Sequence, residues 1–281
     1  MHKIFYPIFQ FFVLSQLFIS FAAVAFLETN LLILEQKTSF AVYLLVFCAT
    51  FCTYNLHIFY AKDRQNMFYS FYLCYSKFLK IGFGFACFII LFCFCLLETI
   101  QKIALIHLAI ISFFYTFSFA LSIPLTTQKI IFPSLRKIPY TKIFLIAYTW
   151  SFVSVVLPSN FIVNTHLISC FCANFCFLFA ITLPFDWRDR QADITQNTKT
   201  LVQKITLRQT KLLILVSLVA QILVLIAVFP LKIWMSLAIC NIMVGIWLSK
   251  LSFTNSFWYF SVFDGMLFLQ YFLLSNVSCL L

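Results

Sequence analysis

Apolar runs of roughly 17 to 23 residues recur along the whole chain and are separated by short polar stretches. They fall at about 5–27, 39–59, 81–97, 103–123, 142–158, 163–184, 211–229, 231–249 and 256–274. Each is close to the roughly 20 residues that carry a helix across a bilayer. The pattern predicts an all-α polytopic membrane protein of about nine transmembrane helices. Residues 1–281 then form a single transmembrane domain with no separate soluble module. The first run is longer than a signal-peptide core, and no small-residue cleavage site follows it, so it is expected to stay as a span.

Composition supports this reading. The chain is 63% hydrophobic and only 10% charged, whereas soluble domains average about 45–50% apolar and about 25% charged. The 39 phenylalanines read as membrane filler. Most of the eleven cysteines sit inside the apolar runs without a C-x-x-C pair, so they read as small polarizable core residues.

Charge sets the expected orientation. Sixteen of the nineteen Lys and Arg residues fall in one alternating set of loops, and the other set holds only Lys37, Lys102 and Lys232. By the positive-inside rule the N-terminus is cytoplasmic and the C-terminus lies on the opposite side. The net charge of +11 then reflects topology and attraction to anionic lipid, and gives no argument for nucleic acid.

Two cytoplasmic stretches, about 55–80 and 184–210, are longer than the rest, and both follow an even-numbered span. The loop between spans four and five carries Pro124, Pro133 and Pro139, which interrupt any helix there. In the 184–210 stretch, Asp186, Asp189 and Asp193 gather three of the chain's eight acidic residues. Spacings of three and seven put them on one face of a continuous helix, within about 60° of arc. Three like charges on one face call for a cation above them. A divalent metal holding phosphate fits, because Mg²⁺ takes one or two carboxylates together with substrate phosphate. The bland alternative is pairing with Arg188, Arg190 and Lys199 in a polar loop.

At the end of span two, Asn55, Phe59 and Asp63 are spaced by four and share a helix face. Asn55 lies near the hydrocarbon boundary, where an unpaired polar group is costly. It either helps hold metal and phosphate or bonds a neighbouring helix. Asp63 either joins it or pairs with Lys62 or Arg64. Lys142, at the cytoplasmic entrance of span five, is a phosphate ligand or a topology anchor.

Taken together, the two segments resemble the paired aspartate motifs of the UbiA-type intramembrane prenyltransferase superfamily. Its members have nine membrane helices, an N-x-x-x-D-x-x-x-D motif after helix two and a D-x-x-D-x-x-x-D motif after helix six. Asp186, Asp189 and Asp193 match the second motif, and the Lys199-Thr200-Leu201 that follows resembles the family's G-x-x-T-L tail, with Asn197 where glycine is common. Asn55 and Asp63 match the first motif, and Phe59 stands where its middle aspartate would be.

The resemblance implies a UbiA-like bundle and a Mg²⁺-dependent enzyme in a bacterial inner membrane. Such an enzyme moves a polyprenyl group from its diphosphate to an aromatic or lipid acceptor. It implies metal ligation by Asn55, Asp63, Asp186, Asp189 and Asp193, with Asp186 and Asp189 catalytic. Arg188, Arg190, Lys199 and Tyr115 would bind the prenyl diphosphate. The physical logic agrees: a diphosphate leaving group needs metal and basic side chains to neutralise its charge. Phe59 keeps a second reading open, a catalytically impaired homologue that binds a polyprenyl lipid or scaffolds a membrane complex. A transporter fits less well, because the chain has only four glycines with which to break helices. Prenyl length, acceptor identity and oligomeric state are not written in the motifs.

Overall fold

The computed structural model describes residues 2–61, 67–117, 119–122, 129–132, 134–159, 162–195, 198–250 and 259–278. In their described residues the apolar runs appear as helices or broken helices, except that the helix of the fourth run, 103–123, stops at Thr116 and the run continues as a strand. The first is split into α1 (His2–Leu14) and α2 (Leu17–Ile33). Then follow α3 (Phe40–Ala61), α4 (Met67–Leu96) and α5 (Thr99–Thr116). The fifth run becomes α6 (Lys142–Ser151) with a π-helical turn, Phe152–Val156. Next come α7 (Thr165–Arg188), a short α8 (Arg190–Thr195), α9 (Leu207–Val228) and α10 (Leu231–Lys250). The last run is a π-helical turn, Phe260–Asp264, leading into α11 (Gly265–Ser278). Among the described residues, six helices are long and apolar enough to cross a membrane, or seven counting the bent α1–α2 pair as one span.

Two features depart from simple spans. The first is a two-stranded antiparallel sheet of β1 (Phe119–Ser122), which takes the end of the predicted fourth span, and β2 (Lys129–Phe132) in the proline-containing loop, with Phe119 opposite Phe132 and Ser122 opposite Lys129. The second concerns the polar stretch predicted at 55–80, which is helical on both sides. α3 runs on to Ala61, and α4 begins at Met67 and kinks at Tyr75, where φ is −110° and ψ is 20°.

Backbone contacts divide the chain into two compact units. The first comprises Met1–Lys102, Val153–Ile162 and Phe257–Leu281. In it α2 packs on α3, α3 on α4, and α11 on α2. The 70° bend between α1 and α2 falls at Ser15–Gln16, with Gln16 in the left-handed region at φ 69°. A break inside an apolar run frees backbone carbonyls that lipid cannot satisfy. The Ser15 carbonyl is served by a side chain of α3: Asn55 Nδ2 donates to it at 3.3 Å and to the Phe51 carbonyl at 2.9 Å.

The second unit comprises Ile103–Phe152 and Val163–Ser256. Here α7 is the common partner, packed on by both α6 and α9. Asn164 caps its start by accepting from the Leu167 N–H at 2.8 Å. The following α9 opens with a reciprocal capping box between Thr206 and Gln209. α9 and α10 are tied within their apolar faces by Asn241 Nδ2, which donates to Gln221 Oε1 at 3.0 Å and to the Leu218 carbonyl at 3.1 Å. Such interhelical amide bonds contribute about 0.6–2 kcal/mol where no water competes.

Candidate functional site

The site of the second unit is built at the C-terminal end of α7. Pro184 lies in the last two turns of that helix and lacks the N–H that would bond one turn back. The helix then stops at Asp189, whose φ of −83° and ψ of 2° let the chain turn into α8. Backbone hydrogen bonds continue across the turn, from the Asp189 N–H to the Phe185 carbonyl at 2.9 Å and from the Asp193 N–H to the Asp189 carbonyl at 2.8 Å. Asp186 and Asp193 are therefore carried inward together.

Both are buried: the side chain of Asp186 is 5% exposed and that of Asp193 1%. The Lys142 ammonium, at the first residue of α6, lies between them. It stands 2.9 Å from Asp186 Oδ1 and 2.8 Å from Asp193 Oδ2. Arg136 approaches Asp193 Oδ1 at 3.5 Å. Two acids and two bases give a formally neutral cluster, which is what a buried site demands, since an unpaired charge there costs several kcal/mol. Tyr115 on α5 lies within electrostatic reach of all four.

The start of α6 is fixed from outside the cluster. Tyr140 holds a left-handed φ of 66°, and its N–H donates to the Lys199 carbonyl at 2.9 Å. The Thr198 N–H in turn bonds the Asp193 carbonyl at 2.8 Å, and Gln203 Nε2 donates to the Thr198 carbonyl at 2.8 Å. The segment at 198–203 thus locks α8 to the entry of α6, and so Asp193 to Lys142. In this way the Lys199-Thr200-Leu201 tail acts through its backbone, while the Lys199 side chain is exposed.

The remaining acid of the triplet goes elsewhere. Asp189 takes a two-pronged bond from its neighbour Arg188, 2.7 Å from Nε to Oδ1 and 2.9 Å from the terminal nitrogen to Oδ2. Arg188 also lies over the Phe185 ring at 5.3 Å, and Arg190 over the Trp187 ring at 5.2 Å. The spacing of the three acids assumed an unbroken helix; the turn at Asp189 places Asp186 and Asp193 on one cation and Asp189 on another.

Asn55 and Phe59 belong to the first unit. Asn55 is fully buried on α3; its amide nitrogen is occupied as described, and its Oδ1 has no hydrogen-bond partner. Phe59 packs in an aromatic group on α4, with ring centroids 4.6 Å from Tyr72 and 5.6 Å from Phe83. Asp63 lies outside the described residues.

A divalent ion needs free oxygen donors, and at this site Asp186 Oδ2 is buried without a hydrogen-bond partner. Arg136 Nε and Arg190 Nε are buried donors without partners, suited to phosphate oxygens. The donor chemistry therefore fits a metal–phosphate ligand. Among the described residues no three His, Cys, Asp or Glu side chains converge as a ready metal cage, and Lys142 holds the position between the two buried carboxylates. In the sequence Lys142 reads as a phosphate ligand or a topology anchor, and Arg136 is one more basic residue of the cytoplasmic loops. Their signal is weak, because the positive-inside rule fills every such loop with basic residues.

Comparison with solved structures gives the class of the fold. The solved structure of a digeranylgeranylglyceryl phosphate synthase of membranes matches with a TM-score of 0.51. The match covers 96% of this chain and 94% of that one at 12% sequence identity. The chain is a multi-pass α-helical membrane protein that shares the fold of that synthase. No protein-family model matches it, and no curated protein does.

Proposed function

We propose that the protein is a UbiA-like prenyltransferase that moves a polyprenyl group from its diphosphate to an aromatic or lipid acceptor within the bilayer of a bacterial inner membrane. The observation that carries this reading is the buried cluster of Asp186, Asp193, Lys142 and Arg136 at the end of α7, with its orphaned Asp186 oxygen and Arg136 nitrogen. Asp186, Asp189 and Asp193 are the acids for metal in this reading; Asn55 and Asp63 are proposed as metal ligands on the family resemblance alone. Mg²⁺ bound there supplies positive charge that neutralises the leaving diphosphate. Arg136, Arg188 and Arg190 add charge and directed N–H donors for phosphate oxygens. Tyr115, close to the same charges, and the exposed Lys199 complete the diphosphate contacts. Apolar helix surfaces rich in Phe, Leu and Ile accommodate the prenyl chain and the apolar acceptor.

Phe59 favours a second reading, a polyprenyl-lipid-binding or scaffold protein. Its ring fills, with aromatic packing, the position where the family motif has an aspartate. The two readings part on bond cleavage. Purified protein incubated with geranylgeranyl diphosphate, Mg²⁺ and a membrane lipid extract is expected to release pyrophosphate and to move the prenyl group into a new lipid. Asp186→Asn is expected to lower that release at least 100-fold. Tight binding without any release would instead establish the lipid-binding reading.

A further inference from the structure

We propose that Lys142 is the resident cation of the Asp186–Asp193 site, holding the carboxylates together until a diphosphate arrives and then passing to the phosphate oxygens. This rests on the prenyl-diphosphate reading above and adds an order of binding to it.

Position is the first argument. The Lys142 ammonium bonds one oxygen of each buried carboxylate at 2.8–2.9 Å, using two of its three donors. Mg²⁺ bonds oxygen at about 2.0–2.1 Å and requires near-octahedral geometry. It cannot bridge the same two oxygens while an ammonium sits between them. Asp186 Oδ2, left without a partner, would offer a metal its first oxygen, and the oxygens that Lys142 now holds would become available only as the lysine lets go.

Charge is the second argument. Asp186, Asp193, Lys142 and Arg136 sum to zero, so a divalent ion entering alone would leave two uncompensated positive charges in a buried site. A diphosphate entering with the metal brings the compensating negative charge and gives the released ammonium a new partner. The lysine also begins α6, and the positive end of a helix dipole disfavours a cation there. The two carboxylates hold it in place against that field, and phosphate at the same helix end would be favoured by it. Tyr140, bonded to the Lys199 carbonyl, fixes the backbone just before Lys142, so the exchange needs only side-chain movement.

The test is Mn²⁺ binding by paramagnetic resonance on the detergent-purified full chain, with and without farnesyl diphosphate. Wild-type protein is expected to bind Mn²⁺ at least tenfold more tightly once the diphosphate is present. Lys142→Gln is expected to bind Mn²⁺ without diphosphate at least tenfold more tightly than wild type, and Lys142→Arg to behave as wild type does. If Lys142→Gln binds Mn²⁺ no better than wild type while wild type gains Mn²⁺ with diphosphate, the lysine role is overturned and the prenyl-diphosphate site stands. If Lys142→Gln gains Mn²⁺ but diphosphate does nothing in wild type, the resident cation stands and the prenyltransferase reading falls. No Mn²⁺ binding by any protein, with or without diphosphate, overturns both. Should Lys142→Gln fail to fold, wild-type protein decides: equal Mn²⁺ affinity with and without diphosphate overturns the ordered exchange.

Discussion

Asp193→Ala is expected to destabilise the protein by about 3–5 kcal/mol, the range found when one partner of a buried ion pair is removed. Asp193 is almost fully buried and bonds both Lys142 and Arg136. Without it Arg136 loses the carboxylate it approaches, and the cluster is left with one net positive charge. Asp189→Ala provides the contrast. Its pair with Arg188 is two-pronged, but its side chain is 38% exposed, so screening holds the loss to within about 1 kcal/mol. Unfolding in detergent by titration with a denaturing surfactant reads both. Equal losses in the two variants would show that the buried cluster does not organise the end of α7.

The second large effect is expected at Phe59. Removing the ring forfeits its contacts with Tyr72 and Phe83, about 0.5–1.5 kcal/mol for each aromatic pair. Phe59→Ala and Phe59→Asp lose this packing alike, so comparing the two isolates the carboxylate. If position 59 belongs to the metal and diphosphate set, as the family resemblance implies, Phe59→Asp binds farnesyl diphosphate in Mg²⁺ at least tenfold more tightly than Phe59→Ala. Equal affinities measured by calorimetry would remove position 59 from the site and leave its aromatic packing as its whole role.

Much of the fold is legible in the sequence because bilayer thickness sets the length of an apolar run. Among the described residues the apolar runs are helical for that reason, apart from the end of the fourth, which is a strand. The break at Ser15–Gln16 was not legible, since neither proline nor glycine marks it and its freed carbonyl is satisfied by Asn55, forty residues away. Asn55 itself stood out by being polar in an apolar run, yet its amide bond to the bend depends on packing that spacing does not encode. The acids of the second motif were visible as a group. Their division between Lys142 and Arg188 was not, because it follows from a turn at Asp189 and from a lysine 44 residues earlier in the chain than Asp186. The β1–β2 sheet likewise escaped a reading based on helix-length runs.

In the proposed function the buried acids of α7 and α8 form a metal-dependent site for a prenyl diphosphate. Binding of farnesyl and geranylgeranyl diphosphate to detergent-purified protein, with and without Mg²⁺, beside Asp186→Asn, tests it most directly. The account predicts binding that requires Mg²⁺ and weakens at least tenfold in the variant. Binding indifferent to both the metal and the substitution would contradict it.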